Sequence, residues 1–137
     1  MRIVLDTNCF LAIVPKRSPY RPVFDAFRSG QFELAIGTAI LHEYEELFAQ
    51  RMTPTIAQNL LSLLERQPNT YRTEIFYYWQ LIERDPSDNK FVDTAIASNA
   101  DFLVTNDGHF HVLSTIDFPR VTCLTLKQFM DRLEVKN

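Results

Sequence analysis

The sequence predicts an α/β domain with a mostly parallel sheet, and three observations carry that expectation. Arg2-Ile3-Val4-Leu5 sets an unbroken apolar, β-capable run directly ahead of Asp6, the pattern of a strand buried on both faces. Phe102-Leu103-Val104-Thr105 repeats the design and runs into Asn106-Asp107. Between and after them, helical periodicities alternate with short apolar runs, with no repeat, linker or low-complexity segment. Ligands of open parallel sheets gather at the carboxyl ends of the strands. Two buried strands that each run into an aspartate therefore direct attention to that rim.

The elements follow in order. Ile3–Leu5 is the first strand, and Asn8–Val14 is a short helix stopped by Pro15. Pro15, Pro19 and Pro22 punctuate a loop before a helix over Val23–Arg28 that ends ahead of Gly30. Phe32–Ile36 is the second strand. Gly37-Thr38 breaks it, with Thr38 as cap of a helix running to about Arg51. Thr53-Pro54 starts another helix, to about Arg66, with Thr as cap and Pro in the first turn. Thr73–Tyr78, aromatic and β-branched, reads as a third strand. Asp85-Pro86-Ser87 is a turn, Asp88–Asn99 a helix and Phe102–Thr105 a strand. Val121–Leu124 is the last strand, and Thr125 with Gln128 makes a capping box for a final helix.

With 137 residues, 46% hydrophobic and 23% charged, the chain suits one domain over residues 1–137 with a sizeable core. Its 3 glycines leave no material for a glycine-rich phosphate loop. No apolar run approaches the ~20 residues of a membrane span, and no secretory signal is visible, so the expected location is cytoplasmic. Cys9 and Cys123 sit among apolar residues and read as reduced core thiols. A net charge of −3 argues against a wholly basic surface, but Lys16, Arg17, Arg21 and Arg28 crowd one short stretch. Lys16 and Arg17 could meet a polyanionic substrate or simply face solvent.

Helical faces sort the remaining acids. In Asp88–Asn99 the apolar stripe is Phe91, Val92, Ala95 and Ile96. Asp88 falls on that stripe and Asp93 on the far side. A carboxylate on a core-facing stripe is costly unless it is paired, capped or bound to a cation. In the helix from Thr38, Ile40, Leu41, Tyr44, Leu47 and Phe48 form the stripe. Glu43 and Glu45 flank it on opposite borders, and periodicity does not choose between them. Glu46 points away. Asp6 and Asp107 lie at strand ends that face the same way. Either could be only a helix cap, but with Asp88 the balance moves toward a shared site. Crowded carboxylates need a cation, and an oxygen-rich set favours Mg²⁺ or Mn²⁺ over zinc.

These residues resemble the PIN-domain family, in particular the VapC-type ribonucleases described as toxins of toxin–antitoxin pairs. The resemblance spans essentially the whole chain. It rests on Val4-Leu5-Asp6-Thr7-Asn8, on Thr38-Ala-Ile-Leu-His-Glu43, on Asp85-Pro86-Ser87-Asp88-Asn89-Lys90-Phe91 with Ala95, and on Val104-Thr105-Asn106-Asp107, in that order. It selects Glu43. It implies a three-layer α/β/α domain that cuts RNA with Mg²⁺ or Mn²⁺, leaving 5′-phosphate and 3′-hydroxyl ends. Asp6, Glu43, Asp88 and Asp107 would hold one or two ions, with Thr7 or Asn8 and Thr105 orienting ligands and water. Asn106, where Gly is frequent, would add a polar group at the site. His109 could touch substrate, although an exposed position at a helix start is the simpler expectation. Asp85 reads as the cap of its turn. Homodimers and a protein antitoxin are usual in the family.

Tyr77, Tyr78 and Trp79 could stack on bases, but aromatics in an apolar strand more often belong to a core or a dimer interface. Two competing functions remain. One is a catalytically silent PIN fold that binds RNA or protein, which the complete acid set disfavours. The other is aspartyl phosphotransfer from Asp6, which would want an acid where Asn8 stands.

Overall fold

The computed structural model describes residues 1–136, with side chains described through Glu134; the expected domain end at Asn137 lies outside that range. β1 (Arg2–Leu5) occupies the middle of the sheet because Ile3, Val4 and Leu5 are all at most 1% exposed. On one side it pairs with β2 (Glu33–Ile36), which pairs in turn with β3 (Thr70–Arg72). On the other it pairs with β4 (Phe102–Val104), which pairs with β5 (Cys123–Leu124). The order is β3-β2-β1-β4-β5, and every one of these pairings is parallel. The α/β expectation with a mostly parallel sheet holds.

Helices α1 (Thr7–Ile13), α2 (Arg21–Arg28), α3 (Thr38–Arg51), α4 (Pro54–Arg66), α5 (Asn89–Ala97) and α6 (Leu126–Lys136) connect and flank the strands. α5 lies across β1, β2 and β4, while α1 packs on α2 and α3, and α2 on α6. Helix ends follow local chemistry. Thr53 accepts from the Ile56 amide at 3.3 Å, and Thr125 and Gln128 form the reciprocal capping box at 3.1 and 2.9 Å. α2 closes at Gly30 (φ 80), where a left-handed residue costs glycine little. α5 closes two residues earlier than expected. Asn99 turns left-handed (φ 55), and the Ala100 amide reaches back to the Ala95 carbonyl at 2.9 Å.

Two expected elements are corrected. Thr73–Tyr78 is not a strand. β2 ends at Ile36, and the Thr73 amide makes the last bond to its carbonyl at 3.0 Å. Beyond that point strand-prone residues have no neighbour to pair with, and Phe76, Tyr77 and Tyr78 are 92%, 65% and 67% exposed. The core assignment for Tyr77 and Tyr78 falls with it, and Trp79 is only half-buried, against Tyr77 and Phe118. Nor does Thr38 cap α3. Gly37 holds the cap position, and the Thr38 hydroxyl turns to Glu74 at 3.4 Å. A Cβ on Gly37 would stand 3.1 Å from the Thr73 carbonyl oxygen, so a larger residue at the strand-to-helix corner would push that backbone back by a few tenths of an ångström.

Candidate active site

The carboxyl ends of β1 and β4 are level, with Leu5 opposite Val104, so Asp6 and Thr105 leave the sheet side by side. The Asp6 amide donates to the Val104 carbonyl at 3.1 Å. Asp6 is 7% exposed. One of its oxygens accepts from the Cys9 amide at 2.8 Å and caps α1; the other accepts the Thr105 hydroxyl. The same hydroxyl accepts from the Asp107 amide at 3.0 Å. Thr105 thus ties the two strand-end aspartates together. Asp107 is more open and caps the following 3-10 turn over Gly108–Thr115 through the His109 amide at 2.9 Å. Both aspartates are therefore helix caps as well as members of the rim.

Glu43 reaches this rim from α3. Its neighbour Tyr44 is fully buried, packs on Phe10 and Phe48, and donates its hydroxyl to the Leu5 carbonyl. That anchor fixes the helix rotation and leaves Glu43 half-buried, while Glu45 and Glu46 are exposed. Glu43 accepts the Thr7 hydroxyl through one oxygen and pairs with the Lys90 ammonium through the other at 2.9 Å. Burial first, then the Asp6 charge, pushes the Tyr44 phenol well up from its ordinary value, and Cys9 is raised by the same two causes. Burial also raises Cys123, to about 11; both thiols are free, as expected.

Asp88 ends a 3-10 turn over Pro86–Asp88 that precedes α5. Asp85 caps the turn, accepting from the Ser87 amide at 3.1 Å and its hydroxyl at 2.6 Å, which holds the Asp85 carboxyl below its usual range. The Asp88 side chain is 14% exposed and makes no capping bond. Burial, then the neighbouring charge of Asp85 and that of Asp107, pushes its carboxyl above the usual range.

Several expectations change here. His109 is not simply exposed: its Nδ1 lies 3.4 Å from Asp88 and 3.5 Å from Asp107. Asn106 turns away from the acids, its carboxamide oxygen accepting from the Leu126 amide at 3.0 Å at the start of α6. Asp93 does not face solvent. The chain returning over Tyr77–Ile82 covers that side of α5, and Asp93 is 3% exposed, accepting from the Trp79 amide at 3.2 Å. Asn8 is exposed on α1. Lys16 and Arg17 are exposed beyond α1. A groove of about 560 Å³ opens beside Asp107, with His111, Asp117 and Arg120 along it; a second, bordered by Arg84 and His109, lies across His111. Neither Lys16 nor Arg17 lines them.

Among the described residues, Asp85, Asp88 and His109 bring potential ligand atoms within 4.8 Å of one another. The donor chemistry suits a divalent cation. Carboxylates outnumber the one ammonium, Lys90, and Asp88 is already pushed toward its neutral form by burial and then by its acidic neighbours. No helix among the described residues is long and apolar enough to cross a membrane.

A family model described as PIN domain matches residues 2–109. No curated protein sequence is significantly similar to the chain. Among solved structures, the chain is similar to one in the VapBC2 complex from Rickettsia felis, crystallised with a DNA fragment from its promoter. The TM-score is 0.63 at 22% identity, over 91% of this chain and 98% of that one. It is also similar to the RRP44 PIN domain from T. brucei, with a TM-score of 0.53 at 14% identity, over 98% of this chain and 81% of that one.

Proposed function

The chain belongs to the PIN-domain family, and we propose that it is a Mg²⁺- or Mn²⁺-dependent endoribonuclease, the toxin of a toxin–antitoxin pair. The observation that supports this most is the bonded rim that joins acids distant in sequence. Asp6 is linked through Thr105 to Asp107, His109 stands between Asp107 and Asp88, and Thr7, next to Asp6, holds Glu43. In this reading Asp6, Glu43, Asp88 and Asp107 hold the ion or ions. A divalent cation so held supplies activation of water and neutralisation of charge at a phosphoryl centre.

The chain's own groups have separable tasks. Thr105 and Thr7 donate to Asp6 and Glu43 and fix which oxygens remain open. Lys90 offsets Glu43 and stands where a phosphate oxygen would profit from an ammonium. The grooves on either side of His111 give a single strand a path past Asp107, with Arg84 and Arg120 along them. Asn8, Lys16 and Arg17 have no such placement.

Incubation with single-stranded RNA and Mn²⁺ tests the proposal. Cleavage to 5′-phosphate products, abolished by Asp6→Asn, is the expected result. RNA binding without cleavage would favour the silent-module alternative. The same reading takes residues 1–137 as one domain, in the cytoplasm, as a homodimer inhibited by a protein antitoxin. The VapBC2 likeness and the exposed Phe76, Tyr77, Tyr78 and Phe118 support a protein partner. Light scattering of the purified chain, alone and with the product of a neighbouring small gene, checks both assemblies.

A further inference from the structure

We propose that Asp85, Asp88 and His109 form a cation position of their own, with an imidazole nitrogen among its ligands, so that this protein takes Mn²⁺ in preference to Mg²⁺. The proposal deepens the nuclease reading, with which it shares Asp88.

The sequence builds this position from two short turns. Asp85 caps the Pro86–Asp88 turn and Asp88 ends it, and the turn is short enough that the two carboxylates bring oxygens within 4.8 Å of each other. Pro86 stiffens the turn, and the Ser87 amide and hydroxyl both hold Asp85 Oδ1, fixing that carboxylate. His109 comes from the other turn, its backbone amide held by a hydrogen bond to the Asp107 carboxylate at 2.9 Å. Neither turn needs to move for the ring to face the carboxylates.

The spacing is open enough to admit one ion among the three groups. Metal–ligand bonds of about 2.1 Å put neighbouring ligand atoms about 3.0 Å apart and opposite ones about 4.2 Å apart. His109 Nδ1 lies 3.4 Å from Asp88 Oδ2, long for a charge-assisted hydrogen bond, and all three ligand atoms fall within 4.8 Å. Closing that spread onto an ion asks for side-chain shifts of a few tenths of an ångström. Imidazole suits the first-row transition ions, whereas Mg²⁺ keeps to oxygen and water. The four-acid set alone would not distinguish Mn²⁺ from Mg²⁺ in this way.

Pulsed electron paramagnetic resonance of the full chain loaded with Mn²⁺ tests the assignment without RNA. The native protein is expected to show ¹⁴N modulation from a directly bound imidazole. His109→Ala should abolish that modulation and weaken Mn²⁺ by about tenfold or more while leaving Mg²⁺ nearly unchanged, as calorimetry reads it. Asp6→Asn should keep the nitrogen signal. Absence of ¹⁴N modulation in the native protein, or an unchanged Mn²⁺/Mg²⁺ ratio in a folded His109→Ala chain, overturns the proposal. The measurement on the native protein stands whether or not the variant folds. RNA still cut in Mg²⁺ without any nitrogen signal would remove this ligand and leave the nuclease reading. A nitrogen signal without RNA cleavage would do the reverse.

Discussion

The Thr105 hydroxyl donates to the buried Asp6 carboxylate while accepting from the Asp107 amide, so one side chain sets the relation between the acids at the ends of β1 and β4. Thr105→Val keeps the shape and removes both bonds. A buried carboxylate deprived of a donor costs about 1–3 kcal/mol, and loss of a group that orients a ligand costs about 10–100-fold in metal affinity or activity. Urea denaturation and Mn²⁺ titration should show both losses, and Thr105→Ser should recover most of each. If valine leaves Mn²⁺ affinity untouched, Asp6 is only the cap of α1.

Lys90 and Glu43 form an ion pair whose side chains are 18% and 28% exposed. The pair is largely covered but keeps some access to solvent, so Lys90→Met should change the unfolding free energy by about 1 kcal/mol. Its electrostatic effect on the rim should be larger. Removing an ammonium from among carboxylates leaves more negative charge for a divalent ion to neutralise, so Mg²⁺ should bind several-fold tighter. That gain should shrink at high ionic strength, where screening acts. Weaker binding in the variant would mean that Lys90 serves chiefly to hold Glu43 in place.

What the sequence made legible follows from what each signal measures. Ile3–Leu5 and Leu103–Val104 show as strands because both faces of a central parallel strand are buried, a property written in every residue. The Thr125–Gln128 box and the Thr53 cap show because their chemistry is local. Thr73–Tyr78 misleads because strand propensity records fitness for a pleated surface, not the presence of a partner, and β2 stops at Ile36. Asp93 misleads because periodicity marks one buried face of α5, whereas the returning segment covers a second. Periodicity alone does not separate Glu43 from Glu45, and the anchoring of Tyr44 is what turns Glu43 to the rim. His109 carried a weak sequence signal, two residues after Asp107. Its closeness to Asp88 is a tertiary fact that no spacing in the chain encodes.

The Asp93 carboxylate and the Trp79 amide hold the returning segment against α5. Asp93→Asn keeps an acceptor of the same shape without a charge to bury, so the chain should be at least as stable at neutral pH. Asp93→Ala removes the acceptor and should cost about 1–3 kcal/mol. Because Trp79 packs on Tyr77 and Phe118, its fluorescence should shift toward that of exposed indole in the alanine variant alone. Equal stability of the two variants would mean that the segment is held by its other contacts.

Asp88 gives the protein a pH signature whose sign is fixed by its surroundings. Burial, then Asp85 and Asp107, raises its folded-state carboxyl above the ordinary 3.8. The folded chain therefore binds more protons at this group than the unfolded chain does, and stability falls as pH rises from 3.8 through the raised value. With chelator present, Asp88→Asn should melt higher than the native protein at pH 7, and the gap should close below about pH 3.8. Asp85→Asn should narrow it by removing the stronger of the two charges. A cation that binds the ionised carboxylate acts in the opposite sense, stabilising the native chain by mass action. Saturating Mn²⁺ should therefore raise the native melting temperature at pH 7, do much less at pH 4, and leave Asp88→Asn nearly unmoved. A gap that neither depends on pH nor responds to Mn²⁺ would show that Asp88 is a solvated turn residue and not part of a cation site.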